Sequence, residues 1–221
     1  MPLQAILFDL DGTLLESIGG ILASFEHVLT RFLPHKSFTQ QELVMTIGEP
    51  IETQMLQFSG GDQELAPLMA AAYREHNRSI LPQMGLYPGA QAALVELGRR
   101  GFKVGIVTSK SRGSTQISLD VHGLAPLLDL LLTADDTPRH KPDPMPLRVA
   151  CEQLGLAATE IAYVGDSVHD IRCALGAGAL AIAALWGPFP PATLAALGPG
   201  HMVESFEQLL MLPELSRERM D

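Results

Sequence analysis

The sequence predicts an α/β fold: a parallel sheet with helices on both faces, and a second, all-helical domain inserted after the first strand. Three observations carry this. Short apolar runs alternate with segments of helical periodicity. Glycines stand just past the ends of those helical segments, where a chain leaves a helix most easily. Finally, about eighty residues separate the first strand from Pro88, where a crossover needs one helix.

Each element follows in turn. Residues 4–8 form an apolar run that ends at an acidic turn, as a strand buried on both faces would. Residues 103–108, 128–133, 161–164 and 179–185 read the same way. Between them, residues 89–100 carry Ala93, Leu94 and Leu97 at helical spacing and stop before Gly101. Helices are likewise expected over 111–121, ending near Gly123, over 144–154, ending near Gly155, and over 168–175, ending near Gly176. In the long connection, helices are expected over 17–32, 39–47, 50–58 and 62–80, with breaks at Pro34, Gly48-Glu49-Pro50 and Gly60-Gly61. Four helices of that length can make their own small bundle. The expected division is a core of residues 1–15 and 86–221 and a helical domain of residues 16–85.

Composition narrows the function. The chain has 221 residues, 47% of them apolar, so it has ample material for a packed core. Fifteen basic against twenty-five acidic residues leave a net charge of −10, with no Lys/Arg run. Nucleic acid and acidic membranes reward clustered positive charge, so neither is expected as a partner. Cys151 and Cys173 are too few for a disulfide framework. The amino terminus has no basic segment ahead of an apolar one, because Asp9 interrupts the run. No charge falls between Cys173 and Val203, but Gly176, Gly178, Gly187, Pro188, Pro190 and Pro191 break that stretch below spanning length. A soluble cytoplasmic protein, monomer or homodimer, is expected.

Four segments carry chemistry. The first strand runs into Phe8-Asp9-Leu10-Asp11-Gly12-Thr13, two carboxylates two residues apart where the chain leaves the core. Like charges held so close call for a cation or a shared proton. An isolated pair of this kind is more often a capping turn. The second strand ends in Thr108-Ser109-Lys110, where hydroxyls and free amides suit a phosphate oxygen and helix capping is the plain alternative. In His140-Lys141-Pro142-Asp143-Pro144, one of only four lysines sits in a loop stiffened by two prolines. Last, Gly165-Asp166-Ser167-Val168-His169-Asp170 follows the fourth strand, with Asp166 and Asp170 one helical turn apart and Asp166 a candidate helix cap. Strand carboxyl ends share one edge of an open α/β sheet. Asp9, Asp11, Thr108, Lys141, Asp166 and Asp170 are therefore expected to converge. Carboxylate oxygens favour a hard divalent ion such as Mg²⁺.

These four motifs, in this order, resemble those of the haloacid dehalogenase-like (HAD) hydrolase superfamily. The closer resemblance is to its phosphatases with an inserted helical cap, of the phosphoglycolate phosphatase kind. The resemblance implies a Rossmann-like core and a Mg²⁺-dependent phosphatase acting on a small phosphorylated metabolite. It implies Asp9 as nucleophile and Asp11 as general acid/base. Thr108, with Ser109 and Lys110 beside it, would bind the phosphoryl group, and Lys141 would steady that group and the nucleophile. Mg²⁺ would be held by the side chains of Asp9 and Asp166 and the backbone carbonyl of Asp11, with Asp170 in support.

Such chemistry is self-consistent, because a doubly charged phosphate meets several carboxylates in an acidic protein. Asp11 argues against a dehalogenase, whose halide leaves without a proton. Lys36 is the only lysine of the inserted segment, and its expected role is solvation, which argues against a Schiff-base phosphonate hydrolase. A sugar-phosphate mutase shares Asp9 and Asp11 and ranks below the hydrolase. A receiver-type phosphoacceptor module is the alternative from another class, and would be near half this length with no inserted bundle. The sequences of a nucleotide P-loop and of a serine-esterase elbow are absent. Expected readers of the leaving group are Gly48-Glu49-Pro50 and the helix edge at Gly19-Gly20. An inward Glu49 would disfavour carboxylated substrates.

Overall fold

The computed structural model describes residues 2–216, so the end of the expected core segment, 217–221, lies outside the described residues. Six parallel strands form one sheet: β1 (Ala5–Phe8), β2 (Lys103–Val107), β3 (Leu130–Leu132), β4 (Ile161–Gly165), β5 (Leu180–Ala184) and β6 (His201–Val203). Their order is β3-β2-β1-β4-β5-β6. The crossovers run outward in both directions from β1 and β4, so the winding reverses between those two neighbours.

Alternation along each strand divides the core into two layers. Ile6, Phe8, Val104, Ile106, Ala162, Val164 and Ile182 face one layer with Ala93, Leu94 and Leu97. These three lie on α5 (Ala90–Arg99). Ala5, Leu7, Ile161, Tyr163, Ala181 and Ala183 face the other, against Leu147 and Ala150 on one helix and Ile171 and Ala174 on another. Those helices are α7 (Met145–Leu154) and α8 (Val168–Ala177), with α6 (Arg112–His122) between β2 and β3. Strands buried on both faces explain the continuous apolar runs.

The insertion holds α1 (Ile18–Phe32), α2 (Gln40–Thr46), α3 (Ile51–Ser59) and α4 (Leu65–Ile80). Its apolar stripes close a third core around Phe25, Val28, Met55, Phe58 and Met69. Phe25 packs edge-on to Phe58 and tilted against Tyr73, at 5.5 and 5.2 Å between ring centres. The outgoing and returning chains run side by side at the neck. Leu15 and Leu86 form an antiparallel bridge, and the Glu16 amide donates to the Gly85 carbonyl at 2.9 Å.

Three details differ from the sequence reading. Strand β6 and the short helices α9 (Pro191–Ala195) and α10 (Phe206–Leu210) were not expected. β6 has three residues, and only Val203 is buried, so no apolar run announces it. Helix α8 continues past Gly176 to Gly178, which takes the left-handed conformation at φ 83°. Gly176 instead lets the helix pack close to Pro144, 3.4 Å from where a β-carbon would stand.

Candidate active site

β1 and β4 deliver the central acids. Phe8 pairs with Val164 in register, and the Asp9 amide donates to the Val164 carbonyl at 2.9 Å. Asp9 and Asp166 therefore leave adjacent strands at the point where the winding reverses, the usual ligand crevice of such sheets. Oxygens of Asp9, Asp166 and Asp170, all buried, lie within 4.8 Å of one another.

Lys141 is buried among them. Its ammonium donates to Asp170 Oδ1 at 2.6 Å and to the Tyr163 hydroxyl at 3.0 Å, and it is ion-paired with Asp9 Oδ1 at 2.8 Å. Tyr163 gives its own proton to the Val107 carbonyl at 2.6 Å, which fixes it as an acceptor for Lys141. Burial alone would discharge Lys141, but Asp170 and Asp9 push its pKa up instead. Burial would likewise neutralise Asp170, yet Lys141 and Ser167 pull its pKa down. Asp170 is thus a fixed charge partner.

Asp166 stands differently. Thr13 Oγ1 donates to its Oδ1 at 2.6 Å, and Oδ2 is buried without a partner. Burial, Asp170 and Asp9 together drive its pKa well up. Two glycines make room for this carboxylate: a β-carbon on Gly12 would fall 2.4 Å from Oδ2, and one on Gly187 2.3 Å from Asp166 Cβ. Gly12 also holds φ at 81°, the region that favours glycine. Asp9 too is pushed up, to about 6, by burial, with Asp170 and Asp11 adding to it and Lys141 opposing.

This donor set fits a hard divalent cation. Three buried acids face one buried lysine, two of their oxygens, Asp9 Oδ1 and Asp166 Oδ2, accept no hydrogen bond, and all donors are carboxylate. Among the three, Asp170 has both oxygens engaged, Oδ1 by Lys141 and Oδ2 by the backbone amide and hydroxyl of Ser167. Asp9 and Asp166 are the side chains left to ligate.

The remaining predicted residues divide. Asp9, Asp11, Thr108, Ser109, Lys110 and His140 line one cavity of about 350 Å³ between the strand ends and the helical bundle. Lys110 does not point free into it: its ammonium donates to both oxygens of Asp11 at 2.9 Å. The cap of α8 is Ser167 rather than Asp166, with a reciprocal bond from Asp170. Gly48 and Pro50 line the cavity, whereas Glu49 does not. Glu49 accepts from Gln57 Nε2 at 2.9 Å and lies 3.9 Å from His169 Nε2, so it gives no ground against carboxylated substrates. Gly19-Gly20 is absent from the cavity wall too, and Lys36 donates to the Phe58 carbonyl at 3.2 Å. Arg112 and Arg139 pair at the surface with Asp136 and Asp143.

Sequence reasoning missed Thr13, Tyr163, Ser167 and the bundle residues Tyr73, Arg74 and Asn77. Ser167 had a readable signal, since Ser167 and Asp170 have the spacing of a capping box. The others have none, because their partners are far away in the chain.

A parallel sheet with acids at its winding reversal and a helical insertion facing them defines a Rossmann-like α/β core with an inserted helical bundle. The profile of the haloacid dehalogenase-like hydrolase family matches residues 6–184, and the chain belongs to that family. It is 35% identical to pyrophosphatase PpaX of Bacillus velezensis over 93% of this chain and 94% of that protein. Among solved structures it is similar to a predicted phosphoglycolate phosphatase from Haemophilus somnus, at 25% identity and a TM-score of 0.81, covering 94% of this chain and 96% of that one. It is also similar to a predicted phosphatase from Clostridium acetobutylicum, at 25% identity and a TM-score of 0.84, covering 95% and 97%. The chain is therefore an enzyme of the hydrolase class, a phosphatase by the family and by the names these relatives carry. Among the described residues, no helix is long and apolar enough to cross a membrane.

Proposed function

We propose that the chain is a Mg²⁺-dependent phosphatase that hydrolyses a small phosphomonoester or pyrophosphate through an aspartyl-phosphate on Asp9. The bundle of residues 16–85 acts as its cap, over a core of residues 1–15 and 86–221. One observation carries this reading: Asp9, braced at 2.8 Å by buried Lys141, stands beside a carboxylate with an unsatisfied oxygen, in the wall of a cavity that the bundle also lines.

Asp9 and Asp166, with the Asp11 backbone carbonyl by family resemblance, would hold Mg²⁺, whose charge offsets repulsion between carboxylates and phosphate. An oxygen of Asp9 attacks phosphorus as the bond to the leaving oxygen breaks. Lys141 keeps the Asp9 carboxylate in place, and Thr108 with the neighbouring Ser109 hydroxyl receives the phosphoryl oxygens. Asp11 gives its proton to the leaving oxygen and then takes one from the water that cleaves the aspartyl-phosphate, releasing phosphate and restoring Asp9. Both Asp11 oxygens accept from Lys110 in the structure, so proton donation requires Lys110 to turn to the phosphoryl group. The cap excludes water and surrounds the leaving group.

Turnover of p-nitrophenyl phosphate with Mg²⁺ and with chelator tests the class, and Asp9→Asn tests the nucleophile. Activity should need Mg²⁺ and should fall by a factor on the order of 10³ or more in the variant. Near wild-type turnover by folded Asp9→Asn would overturn the assignment.

A further inference from the structure

The cavity has two unlike walls. The strand-end wall carries Asp9, Asp11 and Lys110; the bundle wall carries Glu52 of α3 with Tyr73, Arg74 and Asn77 of α4. Its volume of about 350 Å³ is near the lower bound of roughly 300 Å³ for small-molecule sites, which suits a phosphoryl group with a short leaving group. Two cations line it. Lys110 is bound to Asp11, leaving Arg74 as the cation of the bundle wall.

Arg74 pairs with Glu52, and their side chains are 36% and 61% exposed. A pair this wet contributes little, on the order of 0–1 kcal/mol, so an incoming anion can displace Glu52. Asp135, from the loop after β3, also lines the cavity and acts on Arg74 from the core side. The guanidinium thus lines the same cavity as a bundle carboxylate and a core carboxylate, presenting a planar fork that matches a carboxylate or phosphate edge.

We propose that Arg74 determines specificity by binding an anionic terminus of the leaving group, with Glu52 as the partner that terminus displaces. The preferred substrates are then phosphoesters or phosphoanhydrides whose leaving group ends in a second phosphate or a carboxylate. The proposal rests on the phosphatase reading above and goes beyond it in naming the substrate class and the residue that selects it. The charge of Asp135 across the same cavity offers a competing role, in which Arg74 only holds the bundle against the core.

The experiment compares kcat/KM for pyrophosphate, phosphoglycolate and p-nitrophenyl phosphate at fixed free Mg²⁺, in the wild type, Arg74→Gln and Glu52→Gln. The third substrate has no charged terminus. Arg74→Gln should lower the better of the two anionic substrates relative to p-nitrophenyl phosphate by about tenfold or more, chiefly through KM. Glu52→Gln should move that ratio the opposite way. Whichever anionic substrate shows the effect identifies the terminus as phosphate or carboxylate. A common loss on all three substrates, an unmoved ratio, or a wild type that prefers p-nitrophenyl phosphate to both anions would overturn the proposal and leave the phosphatase reading intact. Failure of that reading looks different: the wild type would not turn over p-nitrophenyl phosphate with Mg²⁺ at all.

Discussion

Asp166 is buried with Oδ2 unpartnered, and next to it Asp9 has its pKa pushed from 3.8 to about 6 by burial. An acid whose pKa is higher in the folded protein stabilises the fold at low pH, where both states hold the proton. That contribution is lost as pH rises through the folded value. For Asp9 the shift corresponds to a net cost of about 3 kcal/mol above pH 6 in metal-free protein, burial and the neighbouring carboxylates outweighing Lys141. Chelator-treated protein should therefore lose thermal stability between about pH 4 and pH 6. Asp166→Asn keeps the oxygen that accepts from Thr13 and removes the charge, so at pH 7.5 the metal-free variant should be more stable than wild type by about 1–3 kcal/mol. Added Mg²⁺ should raise the melting temperature of wild type and leave the variant nearly unmoved. A destabilised metal-free Asp166→Asn would show that the carboxylate is not a cation site under electrostatic strain.

Helix α8 joins stability to chemistry at its first turn. Ser167 caps it, accepting from the Asp170 amide at 3.2 Å, while its own amide donates to Asp170 Oδ2 at 3.0 Å. The box therefore aims Asp170 Oδ1 at Lys141, which in turn braces Asp9. Ser167→Ala should cost about 1 kcal/mol in urea unfolding and lower turnover several-fold, because Asp170 loses a hydrogen bond and gains freedom to move. Lost stability with unchanged turnover would separate the cap from the site. Elements of this kind were the readable part of the chain. Apolar runs locate five strands because burial on both faces leaves no polar alternation, and Gly60, Gly123 and Gly155 stop helices through left-handed backbone. The motif residues were readable for a related reason: each follows a strand, and parallel strand ends must share an edge. What escaped depends on contacts between distant segments. Thr13 meets Asp166 across 153 residues, Lys110 turns to Asp11 across 99, and Arg74 reaches the cavity only because α4 packs over the strand ends. Glu49 misled because a loop position alone does not say which way a side chain turns.

The molecule has two apolar layers about the sheet and a third, separate core in the bundle, joined to the rest by two chain passes at Leu15 and Leu86. A helical unit of this size buries a small share of its surface and is marginal alone. Its stability rests on a few large side chains, and Phe25, fully buried against Phe58 and Tyr73, is the central one. The core carries a built-in reporter: the chain's single tryptophan, Trp186, donates to the Thr13 carbonyl at 2.9 Å and packs on Phe206. Phe25→Ala removes about 3–5 kcal/mol of packing from the bundle alone. In urea, the helical circular-dichroism signal of that variant should begin to fall well before Trp186 emission changes, whereas the two transitions lie closer in wild type. The Trp186 midpoint should shift little, because the sheet layers keep their contacts. If both probes moved together by the full amount, bundle and sheet would be one cooperative unit, and the neck would transmit packing loss between them. Separate transitions would mean that the roof of the cavity can loosen while Asp9, Lys141 and Asp166 hold their geometry, the condition for a cap that opens to admit substrate without disturbing the groups that act on it.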